Sequence, residues 1–552
     1  MKENSLIWIL RRVKRRIPAI GLMTLSNVGH ALFSVFFALG SRAVIDSAVA
    51  GESDGFFAAC LRQGCIIAVI LLCLTLSRHL SDRLRADLER DWKQRLLHGL
   101  LHGDYAAVKN YHSAELLNRL NNDVNKVNDG ILSIVPSFAS MATKLVAAVV
   151  VLGVLDARFT LLIAALGAVV LVATGVMRRK LKELNKLVSQ HDGKVSGFLQ
   201  EIMEKLLMVQ AMDVSEEVER RADGLLDDRY VIQRKRKNVS LMTNTGISLM
   251  SYGAGFLALV WCAFRMLQGQ MSFGSLTAVI QLVNQLQSPF VNLSGVLPRY
   301  IAMIASAERL MELESIQGEP APQEADPRVL YEQLDTICAQ GLSFSYERDP
   351  VLENVDFALP KGVFAVITGP SGIGKSTLLK LLLGIYRPNS GGLYLSRGAE
   401  KLTLDRSTRR LFAYVPQGNL LLSGTLRDNL TIVAPDATQE EIDRAVYVSD
   451  MAEFVAHLPQ GLDTPLGESG AGLSEGQAQR LAIGRAVLGG APILLLDECT
   501  SALDEETEQR VLQRLRELPD RTCIAVTHRP AAIALCDWQL EAMDGKIRAI
   551  KK

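Results

Sequence analysis

The eight cysteines of this 552-residue chain include no C-x-x-C pair and lie near no histidine cluster, so neither a disulfide framework nor a structural metal cluster is indicated. They read as buried thiols of a reduced compartment. Net charge is also lacking: 60 Lys and Arg against 59 Asp and Glu leave +1, which removes the global electrostatic argument for a nucleic-acid partner. A third scarcity is local. The short stretches near 46–55, 156–158 and 268–272 carry almost no Lys or Arg, whereas the N-terminal arm (Lys2, Arg11, Arg12, Lys14, Arg15, Arg16) and the stretches 78–130 and 178–239 are rich in both.

Long apolar runs are what the chain has in plenty. A composition 49% hydrophobic yet 22% charged implies segregation into an apolar half and an ordinary globular half. Six runs, at roughly 17–45, 56–76, 131–155, 159–177, 241–265 and 273–296, are each long enough to cross a bilayer, which takes about 20 apolar residues. The second is interrupted by Arg62, leaving 65–76 as its core, and the sixth is the most polar. The positive-inside rule then puts both termini in the cytosol. The two basic inner connections are too long for loops and carry helical periodicity, as in "AELLNRLNNDVNKV"; they read as membrane helices continuing into the cytosol as an antiparallel bundle. A secretory signal is disfavoured, because the first span is too long and Arg42 and Asp46 separate it from the "AVAG" that follows. "LIWILRRVKRR" before that span suits either a helix lying along the inner membrane surface or a plain basic flank.

Past Met311 the apolar runs stop. "SIQGEPAPQEADP" (315–327) has linker composition, and beyond it short β-like runs alternate with helical patterns. The expected fold is thus an all-α transmembrane domain of six helices with long cytosolic extensions (1–314), a linker (315–335) and an α/β P-loop domain (336–552). "FAVITGPSGIGKSTLLKLLLGI" reads as a buried strand, a glycine loop and a helix start, and matches G-x-x-x-x-G-K-[ST] over Gly369–Ser376. Small residues there (Gly369, Pro370, Ser371, Gly372, Ile373, Gly374) let successive backbone N–H groups wrap phosphates, together with the first residues of the helix, Lys375, Ser376 and Thr377. Lys375 reaches the β and γ oxygens, and the Ser376 hydroxyl ligates Mg²⁺. "ILLLDE" (493–498) is an apolar strand ending in two carboxylates. Asp497 there suits a Mg²⁺ site, and Glu498 suits a base or an orienter of water.

Taken together these residues resemble the ATP-binding cassette exporter family, over nearly the whole chain. "LSEGQ" (473–477) looks like the family's signature turn, "YVPQGNLLLSGTLRDNL" its glutamine loop with Gln417, "SALD" (501–504) its D-loop, and "VTHR" supplies His528 as the switch histidine. "FSY" puts Tyr346 where the family stacks a ring on adenine. "ELLNRLNNDV", "VQAMDVSEE" and "QSPFVNL…ASAERLMELE" resemble its membrane domain. The resemblance implies a half-transporter binding ATP and Mg²⁺, homodimer favoured and heterodimer open, multi-pass in a bacterial plasma membrane, with a cytoplasmic ATPase. It implies Glu498, His528, Gln417 and Lys375 as catalytic, Ser376, Gln417 and Asp497 at the metal, and Ser474, Gly476, Gln477 and Asp504 against the partner's nucleotide. Two positions depart from its pattern: Glu475 replaces a glycine in the signature turn, and Gly484 stands where alanine is usual. Glu475 reads either as pointing outward, complementing its helix, or as a brake.

A polar stripe on the sixth span (Thr277, Gln281, Gln285, Ser288, Asn292, with Asn284 alongside) faces a cavity or other helices rather than lipid. Gln281, Gln285 and, mid-span in the third run, Lys144 are candidates for a substrate cavity, with Asn27 and His30 weaker ones. The leading expectation is ATP-driven export of a lipid, peptide or drug-like molecule by alternating access. A subunit that binds ATP with little turnover, and uptake by the same fold, are the alternatives.

Overall fold

Apolar sequence that must hydrogen-bond its own backbone in a bilayer has to be helical, and the described residues up to Glu314 are helices joined by short connections. The computed structural model describes residues 4–318, 326–346, 349–418, 421–467 and 472–552; the side chains of 168–179, 247, 287–295 and 297 lie outside the described set, and with them Ser288 and Asn292. Six long helices run Ile17–Ala50, Ser53–His102, Val124–Leu155, Ala157–Glu204, Ser215–Leu267 and Phe273–Glu314. The second, of 50 residues, is about 75 Å long, far beyond a hydrocarbon core of about 30 Å. Segments Ser5–Ala50, Ser53–His102, Ser113–Leu155 and Ser215–Leu267 are long and apolar enough to cross a membrane among the described residues. The expected fourth and sixth spans pass through 168–179 and 287–295.

The chain divides into two units, one of residues 1–98 and 113–315, the other of 99–112 and 316–552. In the first, the third and sixth helices pack along much of their length. Their apolar residues (Ala148, Leu152; Val279, Leu282, Val283) form one core with Val35, Ala38, Ala258 and Cys262. Polar caps fix the helix ends at the short connections. Asp156 receives the backbone N–H groups of Arg158 and Phe159, both at 3.1 Å, and the Trp261 indole at 3.1 Å. Asp46, at the end of the first helix, accepts from Gly274 N and Ser272 Oγ at the start of the sixth, both at 2.9 Å.

At the cytosolic end, two separate sequence motifs meet. Asp123 of "ELLNRLNNDV" is fully buried and takes a two-pronged bond from Arg309 of "ASAERLMELE", at 2.6 and 2.7 Å, with Ser306 Oγ at 2.9 Å. Burial opposes its charge, yet these donors hold its carboxyl below the usual range. Residues Arg119–Asp123 form a turn of π-helix, which sets Arg119 to bind Glu115 and Glu312. The basic N-terminal segment is a helix, Ser5–Val13, with Trp8, Ile9 and Val13 buried and Leu6, Ile7 and Leu10 exposed. Trp8 therefore faces the protein: it stacks on Trp92 and donates to Glu314 at 2.7 Å.

The second unit has strands β1 (Thr336–Tyr346), β2 (Asp349–Pro360), β3 (Phe364–Thr368), β4 (Ser390–Arg397), β5 (Glu400–Thr403), β6 (Phe412–Val415), β7 (Gly424–Thr425), β8 (Pro465–Leu466), β9 (Ile493–Asp497), β10 (Thr522–Val526), β11 (Trp538–Met543) and β12 (Lys546–Lys551). The main sheet has the order β12-β11-β3-β10-β9-β6, and an antiparallel sheet the order β2-β1-β4-β5. Every residue of β3, β9 and β10 is buried, as expected of parallel strands covered on both faces. Alternate residues serve opposite cores: Ala365 and Ile367 pack with Leu378 and Leu382, whereas Phe364 and Val366 pack with Ile483 and Val511.

Candidate functional site

Register brings the motifs together. Ile367 of β3 pairs with Val526 of β10, which pairs with Asp497 of β9, while Leu496 pairs with Val415 of β6. The carboxyl ends of four parallel strands are thus level. The glycine loop, Asp497 and Glu498, His528 and Gln417 each lie within a few residues of that edge, where open parallel sheets bind ligands.

The loop after β3 is shaped by glycine. Gly369, Gly372 and Gly374 have φ of 143°, 83° and 101°, and a Cβ on Gly369 would lie 2.3 Å from the Ala542 carbonyl oxygen. The resulting concavity opens at the N-terminus of helix Lys375–Leu382, a cradle suited to phosphates. Lys375 Nζ lies across the loop, donating to the carbonyls of Gly369 at 2.7 Å and Pro370 at 2.8 Å. A cationic nitrogen held where it caps the loop fits a polyphosphate.

Beside it, Ser376 Oγ donates to Asp497 Oδ1 at 2.8 Å and the Tyr414 hydroxyl to Oδ2 at 3.0 Å. Asp497 is 2% exposed; burial lifts its pKa, with a lesser push from the charge of Glu498, against the two donors and the charge of Lys380. A buried carboxylate beside a hydroxyl is a hard oxygen donor set, which suits Mg²⁺. Glu498 has φ 46°, a left-handed conformation uncommon for a side chain of its size, and accepts from Gln417 Nε2 at 2.7 Å. His528 is exposed at the end of β10.

Tyr346 ends β1 with its hydroxyl 3.2 Å from Thr377 Oγ1. Its ring is edge-on to Phe344 and Tyr386, and Lys109 Nζ sits 5.5 Å from the ring centre. Lys109, Phe344, Tyr346 and Tyr386 border a cavity of about 990 Å³.

The signature turn starts helix Glu475–Leu488. Ser474 Oγ accepts from Gln477 N at 3.3 Å while Gln477 Oε1 accepts from Ser474 N at 2.9 Å, a reciprocal cap. Glu475 is exposed in the first turn, where a negative charge complements the helix dipole. Gly470 and Ala471 lie outside the described residues. Gly476 permits a close approach: a Cβ there would stand 2.9 Å from the Ala502 carbonyl oxygen of the D-loop. Gly484 faces Ser449 Oγ and Leu430 Cδ2, which an added Cβ would meet at 3.0 and 3.1 Å. Asp504 caps its own helix, accepting Thr507 N at 2.9 Å.

Three residues escaped sequence reasoning. Buried Gln479 donates to Ser501 Oγ and accepts from Ala502 N, both at 3.1 Å, tying the signature helix to the D-loop. Arg529 holds the D-loop carbonyls of Ser501 and Leu503 at 2.5 and 3.2 Å. Tyr414 serves Asp497. Gln479 carried one signal, an amide two residues past the signature turn on the buried face of its helix; the other two became visible only through register.

In the membrane unit, Gln285 Nε2 donates to the Ser34 carbonyl at 2.8 Å, so its amide is engaged by the first helix. Asn27 is likewise joined to Ser77 of the second helix, at 2.7 Å. Gln281 differs, because its buried Oε1 has no partner among the described residues. Lys144 is half-buried and lies on one face of the third helix with Ser133, Ser137 and Ser140.

A family model described as the ABC transporter transmembrane region matches residues 19–290, and one described as ABC transporter matches 352–501. The mycobactin import ATP-binding/permease protein IrtB of Mycolicibacterium smegmatis is 32% identical over 397 residues, 70% of this chain and 67% of that protein. The chain belongs to the ABC transporter family. As a member it is an integral membrane, ATP-hydrolysing transporter with its ATPase region in the cytoplasm. ABC transporter B family member 1 of Dictyostelium discoideum is 29% identical over 443 residues, 79% of this chain; the chain spans 48% of the length of that relative. A solved bacterial Atm1-family ABC exporter with ATP bound shares the fold at a TM-score of 0.79, with 23% identity, 98% of this chain and 95% of that one being covered.

Proposed function

We propose that this chain is half of an ATP-driven exporter that works as a dimer, with two identical copies the favoured form. The observation that carries the reading is the common edge of β3, β10, β9 and β6, where phosphate cradle, buried carboxylate and Gln417-bound Glu498 stand together. In this reading Gly369–Thr377 hold the phosphates of ATP and Tyr346 stands against the adenine. Ser376, Asp497 and Gln417 hold Mg²⁺, which supplies charge neutralisation at the phosphate oxygens. Glu498 orients and deprotonates the attacking water, kept in place by Gln417, and His528 contacts the terminal phosphate. Ser474, Gly476, Gln477 and Asp504 of one copy close over the nucleotide of the other, with Glu475 directed outward. The engagement of Gln477 and Asp504 in helix caps supports a part played through backbone N–H groups and a fixed turn.

For the substrate cavity, the unpartnered Gln281 oxygen and the third-helix face carrying Lys144 are the supporting features; Gln285 contributes by joining the sixth helix to the first. Export is favoured by the exporter fold, although a relative named for import shows that direction needs its own assay. The test is Glu498→Gln in the purified chain. ATP occupancy is retained and turnover falls about a thousandfold, equivalent to roughly 4 kcal/mol in the barrier. In inverted vesicles, ATP-dependent accumulation in the lumen should vanish with turnover. Near-normal hydrolysis would remove Glu498 from this role, and ATP-dependent loss of substrate from the lumen would reverse the direction.

A further inference from the structure

Between the second, third and sixth helices of the membrane unit lies a cavity of about 390 Å³ that takes in Ser133, at the cytosolic end of the third-helix face carrying Lys144, and otherwise no residue of the transport reading. Ser81, Arg85, Lys126, Asp129, Ser133 and Arg299 supply its polar lining, and Gly130, Leu132 and Ala302 the rest. Its depth follows from the helices that carry it. Arg85 stands nine residues beyond the second apolar run, Lys126 five before the third and Arg299 three beyond the sixth. At 1.5 Å per residue these lie roughly 5–14 Å outside the hydrocarbon, on the cytosolic side. The headgroup layer occupies that zone, and long cationic side chains reach back into it.

Charge decides what fits. Asp129 is the one carboxylate in the lining, and Arg85 neutralises it at 2.7 Å. Lys126 lies 3.9 Å from Asp123, whose carboxylate is already held by Arg309. Arg299 makes no ion pair among the described residues. Two cations are thus left largely uncompensated around a concavity at headgroup depth, the arrangement by which basic pockets between membrane helices hold anionic headgroups. We propose that this pocket binds the phosphate of an anionic glycerophospholipid of the inner leaflet, with Lys126 and Arg299 as its ligands. The assignment is independent of which substrate is transported and in which direction.

The full-length chain is reconstituted in nanodiscs of phosphatidylcholine containing a minority of phosphatidylglycerol, and co-purifying lipids are counted by native mass spectrometry. The unmodified protein should retain phosphatidylglycerol in preference to phosphatidylcholine, a result that needs no variant to fold. Lys126→Gln and Arg299→Gln should each weaken that retention about fivefold, and Arg299→Lys should restore most of it. Arg78→Gln, an exposed cation of the second helix about one turn nearer the hydrocarbon than Ser81 and outside the pocket, should leave it unchanged. Equal retention of both lipids, or an equal loss in Arg78→Gln, would overturn the proposal. Displacement of phosphatidylglycerol by inorganic phosphate alone would assign the pocket to a soluble anion and overturn the lipid assignment.

Discussion

Removing the Tyr414 hydroxyl deletes one oxygen, and the structure says what that oxygen does. It donates at 3.0 Å to Asp497, whose carboxyl is 2% exposed and has Ser376 Oγ, at 2.8 Å, as its other side-chain donor. Burial and the neighbouring carboxylate also raise the phenol's own pKa, so it stays protonated and remains a donor at every workable pH. A hydrogen bond to a charged group contributes about 1.5–3 kcal/mol, so Tyr414→Phe should cost the nucleotide-free unit about 2 kcal/mol, or roughly thirtyfold in its opening equilibrium. The loss should depend on pH. Asp497 has a folded pKa above its unfolded value, so its contribution to stability is most favourable below the unfolded pKa and is lost as pH rises through the folded one. The Tyr414 bond favours the charged form and limits that loss; without it the folded pKa rises further. Wild type and variant should therefore differ little below about pH 4 and by the full amount once both carboxylates are ionised. Amide hydrogen exchange of β9 and β10 in the full chain, compared between the two proteins near pH 4 and pH 8, reads this directly. A loss of protection equal at both pH values, or absent at pH 8, would refute the reasoning.

Gln479→Leu should break both bonds to the D-loop and leave the Ala502 N–H without its acceptor, lowering cassette stability by about 2–3 kcal/mol, measurable by thermal unfolding. Glu475→Gly should change the ATPase rate of the purified homodimer by less than about fivefold, under roughly 1 kcal/mol; restoration of turnover to an otherwise inactive chain would instead make the glutamate a brake. Gln285→Leu should lower the melting temperature in detergent by an amount equivalent to about 1 kcal/mol, through loss of the Ser34 bond. Gln281→Leu should leave melting unchanged and alter substrate-stimulated ATPase; the opposite pattern would exchange the two roles.

Features that repeat along the chain were legible before any coordinates. A run such as "ILLLD" has one compact solution, a strand buried on both faces, and the glycine loop could be placed because φ values near 100° exclude most other residues. The six long helices follow from the apolar runs in the same way. Features that depend on a partner far along the chain were not legible. "LIWILRRVKRR" suited either a helix on the inner membrane surface or a plain basic flank, and only packing shows that Trp92 and Glu314 claim Trp8. Gln285 and Gln281 are four residues apart on one face, and only packing separates an amide held by Ser34 from one with a bare oxygen.

The sequence by itself determined the local conformations and the identity of the phosphate loop, because backbone sterics and apolar periodicity act over a few residues. Tertiary structure alone decided which side chains meet: Tyr414 with Asp497, Gln479 with the D-loop, Asp123 with Arg309. Those pairings rest on strand register and helix packing, where a displacement of one residue would turn each side chain to another face, and no short stretch of sequence encodes that register on its own.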